Sequence, residues 1–301
     1  MSRRRRSSRR WGKRAVQEVA GALAMVFGAH GRGLLHLAGA VAAVAGIMFG
    51  LGTLRERVYA LPEFDLPVTL KLVNTPSWLN DAQLREMLSG LEPMRFLDAQ
   101  VTQEVAAHVE RSGWVEHVVR AERCRGGVIK VQCEFRRPLA VVQQGGQFIL
   151  VDERGIRLPG IYSDPGEFVI VQGVGEAAPA VGELWEGADL EAGLRLVKLL
   201  VGEPFYGQVG AVSVHNYGGR EAAKEAHLAL LTRPDGRTGH WGRVLWGSGP
   251  GEEIEEPTAS EKIRLLRANY QQCGRIDAGA PWIDVSVSPG EYRKPADGQS
   301  A

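Results

Sequence analysis

Polar and apolar residues alternate most cleanly across "KVQCEFRRPLAVVQQGGQFILVDERGIRLPG", residues 130–160. From Val128 to Arg136, Ile129, Val131, Cys133 and Phe135 share one face, and Lys130, Gln132, Glu134 and Arg136 share the other. That period of two predicts a strand with one buried and one wet face. The pattern stops at Arg137-Pro138, restarts at once, turns at Gly145-Gly146 and restarts again. Upstream, Val68–Val73 and Trp114–Arg123 also read as strands, the latter turning at Gly126-Gly127. Two helices are predicted between them. Asn80 with Gln83 is a capping-box start, and Leu84, Met87, Leu88 and Leu91 follow at helical spacing until near Pro93. The second runs from about Asp98 to Ser112, with Leu97, Val101, Val105, His108 and Val109 on one side and Gly113 as its stop.

Downstream, Phe168–Val171, Val209–Asn216, Ala226–Thr232, Gly242–Gly247 and Pro281–Ser288 read as strands. Arg233-Pro234-Asp235-Gly236 supplies turn chemistry after the third of these. A helix from about Ala188 to Val201 sets Leu190, Leu194, Val197 and Val201 in register. Another opens on a Thr258/Glu261 capping box, carries Ile263, Leu266, Tyr270 and Cys273 on one face, and stops at Gly274. In the last strand Ile283, Val285 and Val287 oppose Trp282, Asp284 and Ser286.

The N-terminal part departs from this alternation. Gly33–Leu54 holds 22 residues whose one titratable side chain is His36, long enough to cross the hydrocarbon core as a helix. Nine basic residues precede it and two follow closely, so the positive-inside rule sets the N-terminus in the cytoplasm. "SRRWGK" (Ser8–Lys13) and Val58-Tyr59-Ala60 faintly resemble an export signal and its cleavage site. The apolar run is longer than the ~7–15 residues of such a signal, so an uncleaved anchor is expected. The net charge of +1 conceals this asymmetry, because residues 1–57 carry eleven Lys/Arg against two acids. The remainder has 25 basic and 33 acidic residues, which excludes nucleic acid as its partner.

Candidate chemistry is sparse. Three cysteines (Cys124, Cys133, Cys273) make no disulfide framework and have no zinc spacing. The turn at Gly126-Gly127 sets Cys124 opposite Ile129 and Cys133 opposite Arg120, roughly 13 Å out of step at ~3.3 Å per residue. The seven histidines form no H-E-x-x-H pattern. Ser248 among glycines is followed by Pro250, against a nucleophile elbow. "GVGEAA" (Gly173–Ala178) lacks the helix a dinucleotide site needs, with Pro179 and Gly182 following. His240-Trp241 near Trp246 reads as sheet packing in preference to a sugar shelf, and Glu252, Glu253, Glu255 and Glu256 as a solvated run. No enzyme, cofactor, metal or small-molecule substrate is expected.

The order strand, helix, helix, strand, strand over about 70 residues behind a membrane segment resembles a POTRA domain. "GWVEHVVRAERCRGGVIKVQCEFRRPLAVV" (Gly113–Val142) and "FILVDERGIRL" (Phe148–Leu158) are similar to the FtsQ/DivIB family of bacterial division proteins. So is the later succession of L-T-x-x-D-G turn, V-x-W-G strand, acidic stretch, Lys-containing helix and I-D-V strand. The resemblance spans about residues 33–288, and Val287 stands where family members carry an aromatic residue. It implies an α+β chain: basic segment 1–32, transmembrane helix 33–54, linker 55–67, POTRA domain 68–137, a mostly antiparallel β domain 138–288 with two flanking helices, and a tail 289–301. It also implies a non-catalytic bitopic scaffold of the cytoplasmic membrane at the division site, with its folded domains extracytoplasmic. Its partners would be small single-pass division proteins of the FtsB/FtsL kind and other divisome members. The expected partner-binding residues are Trp282, Ile283, Asp284, Val285, Ser286, Val287, Ser288 and Tyr292, as an edge strand receiving a partner strand. The same pattern fits an interior strand, or an edge covered by the chain's own tail. A POTRA-bearing export or envelope-assembly factor and a generic membrane-tethered domain are the alternatives.

Overall fold

The structure, a computed structural model, describes residues 36–57, 68–91, 94 and 96–287. The chain divides into two units, Met1–Pro67 with Arg95–Asp98, and Val68–Met94 with Ala99–Ala301. In the first, helix α1 (His36–Arg57) has 22 residues, a mean hydropathy of 2.0 and none of its apolar window buried. At ~1.5 Å per residue it is long enough for the hydrocarbon core. It extends three residues beyond the predicted end at Leu54, and residues 33–35 lie outside the described residues.

The second unit holds two sheets. Strands β1 (Thr69–Val73), β2 (Val115–Cys124) and β3 (Val128–Phe135) form one in the order β1-β3-β2, with β1 parallel and β2 antiparallel to β3. Helix α2 (Asp81–Leu88) has the predicted reciprocal Asn80/Gln83 cap. Helix α3 (Val101–Glu110) is shorter than its pattern suggested and buries Val101, Val105 and Val109. These valines share a core with Ile129, Val131 and Cys133, the inward face of β3. Burial, and secondarily the charge of Glu110, raises the Cys133 thiol to about 11. The predicted register is corrected: a three-residue turn, 125–127, sets Cys124 opposite Val128, the β2 bulge between Val118 and Arg120 sets Cys133 opposite Val118, and all three cysteines are free thiols.

The larger sheet has seven strands: β4 (Pro138–Gln144), β5 (Gln147–Asp152), β6 (Val169–Gln172), β7 (Val209–Ser213), β8 (Leu228–Thr232), β9 (Arg243–Gly247) and β10 (Trp282–Asp284). Their order is β10-β9-β8-β7-β6-β4-β5. Gly145 and Gly146, with φ of 57° and 79°, make the two-residue turn between β4 and β5. The sheet is mixed, which corrects the expectation of a mostly antiparallel domain. Pairs β10/β9, β4/β6 and β6/β7 are parallel, whereas β4/β5, β7/β8 and β8/β9 are antiparallel. Alternation along a strand identifies the wet face but is silent on direction. Direction follows from the connections: helix α4 (Ala188–Leu200) lies in the chain between β6 and β7, and α5 (Ala259–Cys273) between β9 and β10. Both helices feed one core, where Leu190, Leu194, Leu196, Val197 and Leu266 meet Val142, Val171, Val212, Leu230, Trp246 and Ile283. Val201 and Cys273, predicted inward, are exposed at the helix ends.

Candidate partner-binding edge

Strand β10 is positioned from both ends. Before it, α5 closes on Gly274 in the left-handed conformation (φ 71°), whose N–H donates to Tyr270 O. The following loop is tied down by Asp277, which is fully buried. Its carboxylate accepts from Thr232 Oγ1 at 2.8 Å, Arg275 Nε at 2.9 Å and Gly279 N–H at 3.0 Å. Burial pushes this carboxyl's pKa up, but the hydrogen bonds from Arg275, then Thr232 and Gly279, outweigh burial and hold it below the usual aspartate range. Gln208 accepts from Ile276 N–H at 3.0 Å, fixing the loop to the start of β7. Pairing with β9 then begins with Arg243 N–H to Pro281 O at 2.8 Å and ends with Val285 N–H to Leu245 O at 3.0 Å.

β10 is the terminal strand of the sheet order. In a parallel pair, alternate residues direct both backbone groups to the same neighbour. Pro281 and Val285 face β9, so the N–H and C=O groups of Trp282 and Asp284 point the other way. Beyond them the row closes, because Ser286 N–H and Oγ both donate to Asp284 Oδ1, at 2.9 and 2.6 Å. The strand is therefore three residues long, shorter than the predicted Pro281–Ser288. Of the expected partner-binding residues, Ile283 and Val285 are buried in the core, so their side chains are unavailable to a partner. Trp282, Asp284, Ser286 and Val287 are half-buried; Ser288 and Tyr292 lie outside the described residues. A groove of about 280 Å³ runs beside the strand, lined by Pro257, Leu265, Ala268, Val285 and Val287, with Glu261 and Arg264 at its polar parts.

Beneath the edge is an ion pair that sequence reasoning missed. Lys262 is fully buried; its Nζ lies 2.7 Å from Glu256 Oε2 and 5.3 Å from the centre of the Trp246 ring. Glu256 also accepts from Ser248 N–H and from Ser248 Oγ at 3.0 Å. A Cβ on Gly247 (φ 94°) would lie 2.3 Å from Glu256 Oε2 and 2.7 Å from Ser286 Cβ, so only glycine admits this approach. The signal was present: Lys262, Leu266 and Asn269 stand at i, i+4 and i+7, and all three are buried.

Of the acidic run, Glu255 is exposed as expected, whereas the other three are half-buried and held. Glu252 pairs with Arg195 and accepts from Tyr217, and Glu253 accepts from the N–H groups of Gly251 and Ala259. Ser248 is held by Glu256 and is not part of a free loop. Trp246 is buried as expected, but Trp241 is 58% exposed, against the packing predicted for it. Residues 173–187 contain no helix, and α4 begins only at Ala188. Among the described residues no group of three or more His, Cys, Asp or Glu side chains is placed to hold a metal ion.

No family model and no curated protein matches the chain. Among solved structures it is similar to the major extracytoplasmic domain of the trans isomer of the bacterial cell division protein DivIB from Geobacillus stearothermophilus. Identity is 12%, over 36% of this chain and 78% of that one, with a TM-score of 0.25.

Proposed function

We propose that this chain is a non-catalytic membrane-anchored scaffold of bacterial cell division, which holds partner proteins by strand addition at β10. The observation that carries this reading is the terminal position of β10, with the backbone groups of Trp282 and Asp284 directed away from β9. An incoming segment gains affinity from those main-chain groups and specificity from its alternate side chains. The apolar helix α1 supports anchoring in the cytoplasmic membrane, and the basic residues before it support an extracytoplasmic folded part. The ordered motifs from Gly113 to Val285 resemble the FtsQ/DivIB family, with a POTRA domain over 68–137 and a β domain over 138–288. On that resemblance the partners are small single-pass division proteins of the FtsB/FtsL kind, captured at the division site together with other divisome members.

The test is a photo-crosslinking residue at Ser286 of the full chain in the living cell. Capture of a small single-pass division protein is expected. Capture of division proteins only from other surface positions would move the docking edge elsewhere, and capture of none from any position would sink the division reading.

A further inference from the structure

Arg243 is an exposed cation that the folded chain leaves unmatched. On one side it lies in register with Leu231 and on the other with Trp282, neither of which carries a countercharge. Its guanidinium has no ion-pair or side-chain hydrogen-bond partner among the described residues. The nearby carboxylates are all committed. Asp235 accepts from Arg237 N–H and Thr238 N–H, each at 2.9 Å. Asp277 is enclosed by Arg275, Thr232 and Gly279, and Asp284 by Ser286. Arg237, in the same hairpin, adds a second exposed positive charge.

Two tryptophans flank this cation. Val244 and Ile283 turn inward to the core, so Arg243 and its register partner Trp282 share the opposite, outer face. Trp241 stands two residues before Arg243 and is 58% exposed. Large aromatic side chains are normally well buried, and Trp and Arg are among the residues enriched where partner proteins bind tightly. Trp282 belongs to the open edge strand itself, so the patch is continuous with the backbone groups offered there.

We propose that Trp241, Arg243 and Trp282 form the specificity contact for a partner polypeptide whose segment carries a carboxylate beside an apolar residue. This rests on strand addition at β10. The carboxylate meets Arg243, and the apolar neighbour covers the indole faces. Lowering the dielectric around the ion pair in this way strengthens it beyond an open surface pair.

The experiment places the photo-crosslinking residue in turn at Ser286 and at Trp241 of the full chain in the living cell, and maps the captured peptides. Both sites are expected to label one polypeptide, with an Asp or Glu within two residues of the Trp241 crosslink. Arg243→Glu should reduce Ser286 capture about tenfold, and Trp241→Ala should reduce it severalfold. Arg125→Glu, on the exposed hairpin of the smaller sheet, should leave it unchanged. Reversing the mapped partner carboxylate to Lys should restore capture by Arg243→Glu. Undiminished Ser286 capture in Arg243→Glu overturns this inference and leaves the scaffold reading standing. Labelling of glycan from Trp241, or of a segment without acids, overturns it likewise. Loss of all capture at Ser286 in the unaltered chain removes both.

Discussion

The two ends of the seven-stranded sheet are finished differently. At the β5 end the outward backbone groups are consumed. Phe148 and Tyr162 exchange N–H···O bonds of 2.9 Å each, Leu158 N–H reaches Leu150 O at 2.9 Å, and Asp152 N–H reaches Ile156 O at 3.1 Å. A further layer follows, with Arg157 N–H on Glu183 O at 2.9 Å. At the β10 end no strand follows among the described residues. An open edge is a template for unwanted pairing, and proteins ordinarily cover, shorten or charge it. This chain covers one end thoroughly and shortens the other to three residues. Even the small sheet is treated, because Glu110 Oε1 accepts from Val118 N–H at 2.8 Å on edge strand β2. The difference teaches that the β10 end is a limited opening, with two residues' worth of outward groups and an end stop at Ser286.

The largest disruption of that contrast should come from beneath the open edge. Glu256→Ala strands the buried Lys262 ammonium, with an expected loss of ~3–5 kcal/mol, read as a shift in denaturant midpoint by tryptophan fluorescence. Adding Lys262→Met should recover much of that loss; a single-variant loss below ~1 kcal/mol would show that the pair does not support the edge. At the closed end, Asp152→Ala removes acceptors for Arg154 N–H, Ile156 N–H and Arg136. An expected cost of ~2–3 kcal/mol should come with concentration-dependent self-association, since the β5 edge loosens. An association state unchanged from the unaltered chain would mean the cover holds without its turn.

Asp277 gives a pH-dependent handle on β10. Its carboxyl is held below the usual aspartate value, so its stabilisation is complete above the unfolded-state pKa near ~3.9. It is lost as pH falls through the lower folded-state value. Unfolding free energy should therefore fall with acidification below about pH 4, and Asp277→Asn should flatten that part of the profile while lowering stability at neutral pH. An identical acid slope in the variant would contradict this. The smallest effect is expected from Asp284→Ala, a few tenths of a kcal/mol in stability. By releasing Ser286 N–H it lengthens the open row, and capture at that edge should rise. Unchanged capture would mean that Asp284 is not the end stop.

Much of this was legible in the sequence, for local reasons. The Asn80/Gln83 and Thr258/Glu261 caps, the paired glycines at 126–127 and 145–146, and the alternation of β3 each depend on neighbours a few residues away. What was not legible depends on distant ones. The parallel pairs β6/β7 and β9/β10 follow helical crossovers, and a bulge in β2 between Val118 and Arg120 moved the partner of Cys133 through pairing with β3. Glu256 looked solvated because Lys262 and Ser248 reach it only in the fold. Strand β10 was foreseen in place but not in extent. Side-chain alternation continues to Val287, whereas the ladder ends where Asp284 captures Ser286.

The parallel pairing of β10 with β9 also sets an order of events. β10 is the last strand of the described chain and reaches β9 only after the whole of α5. As the chain is made from its N-terminus, β9 is complete before β10 exists and waits with its outer row bare. For that interval the exposed edge is five residues long and belongs to the wrong strand. Under the proposed scaffold function, the docking line would exist only once Trp282–Asp284 has closed over β9, so recruitment would follow completion of the fold.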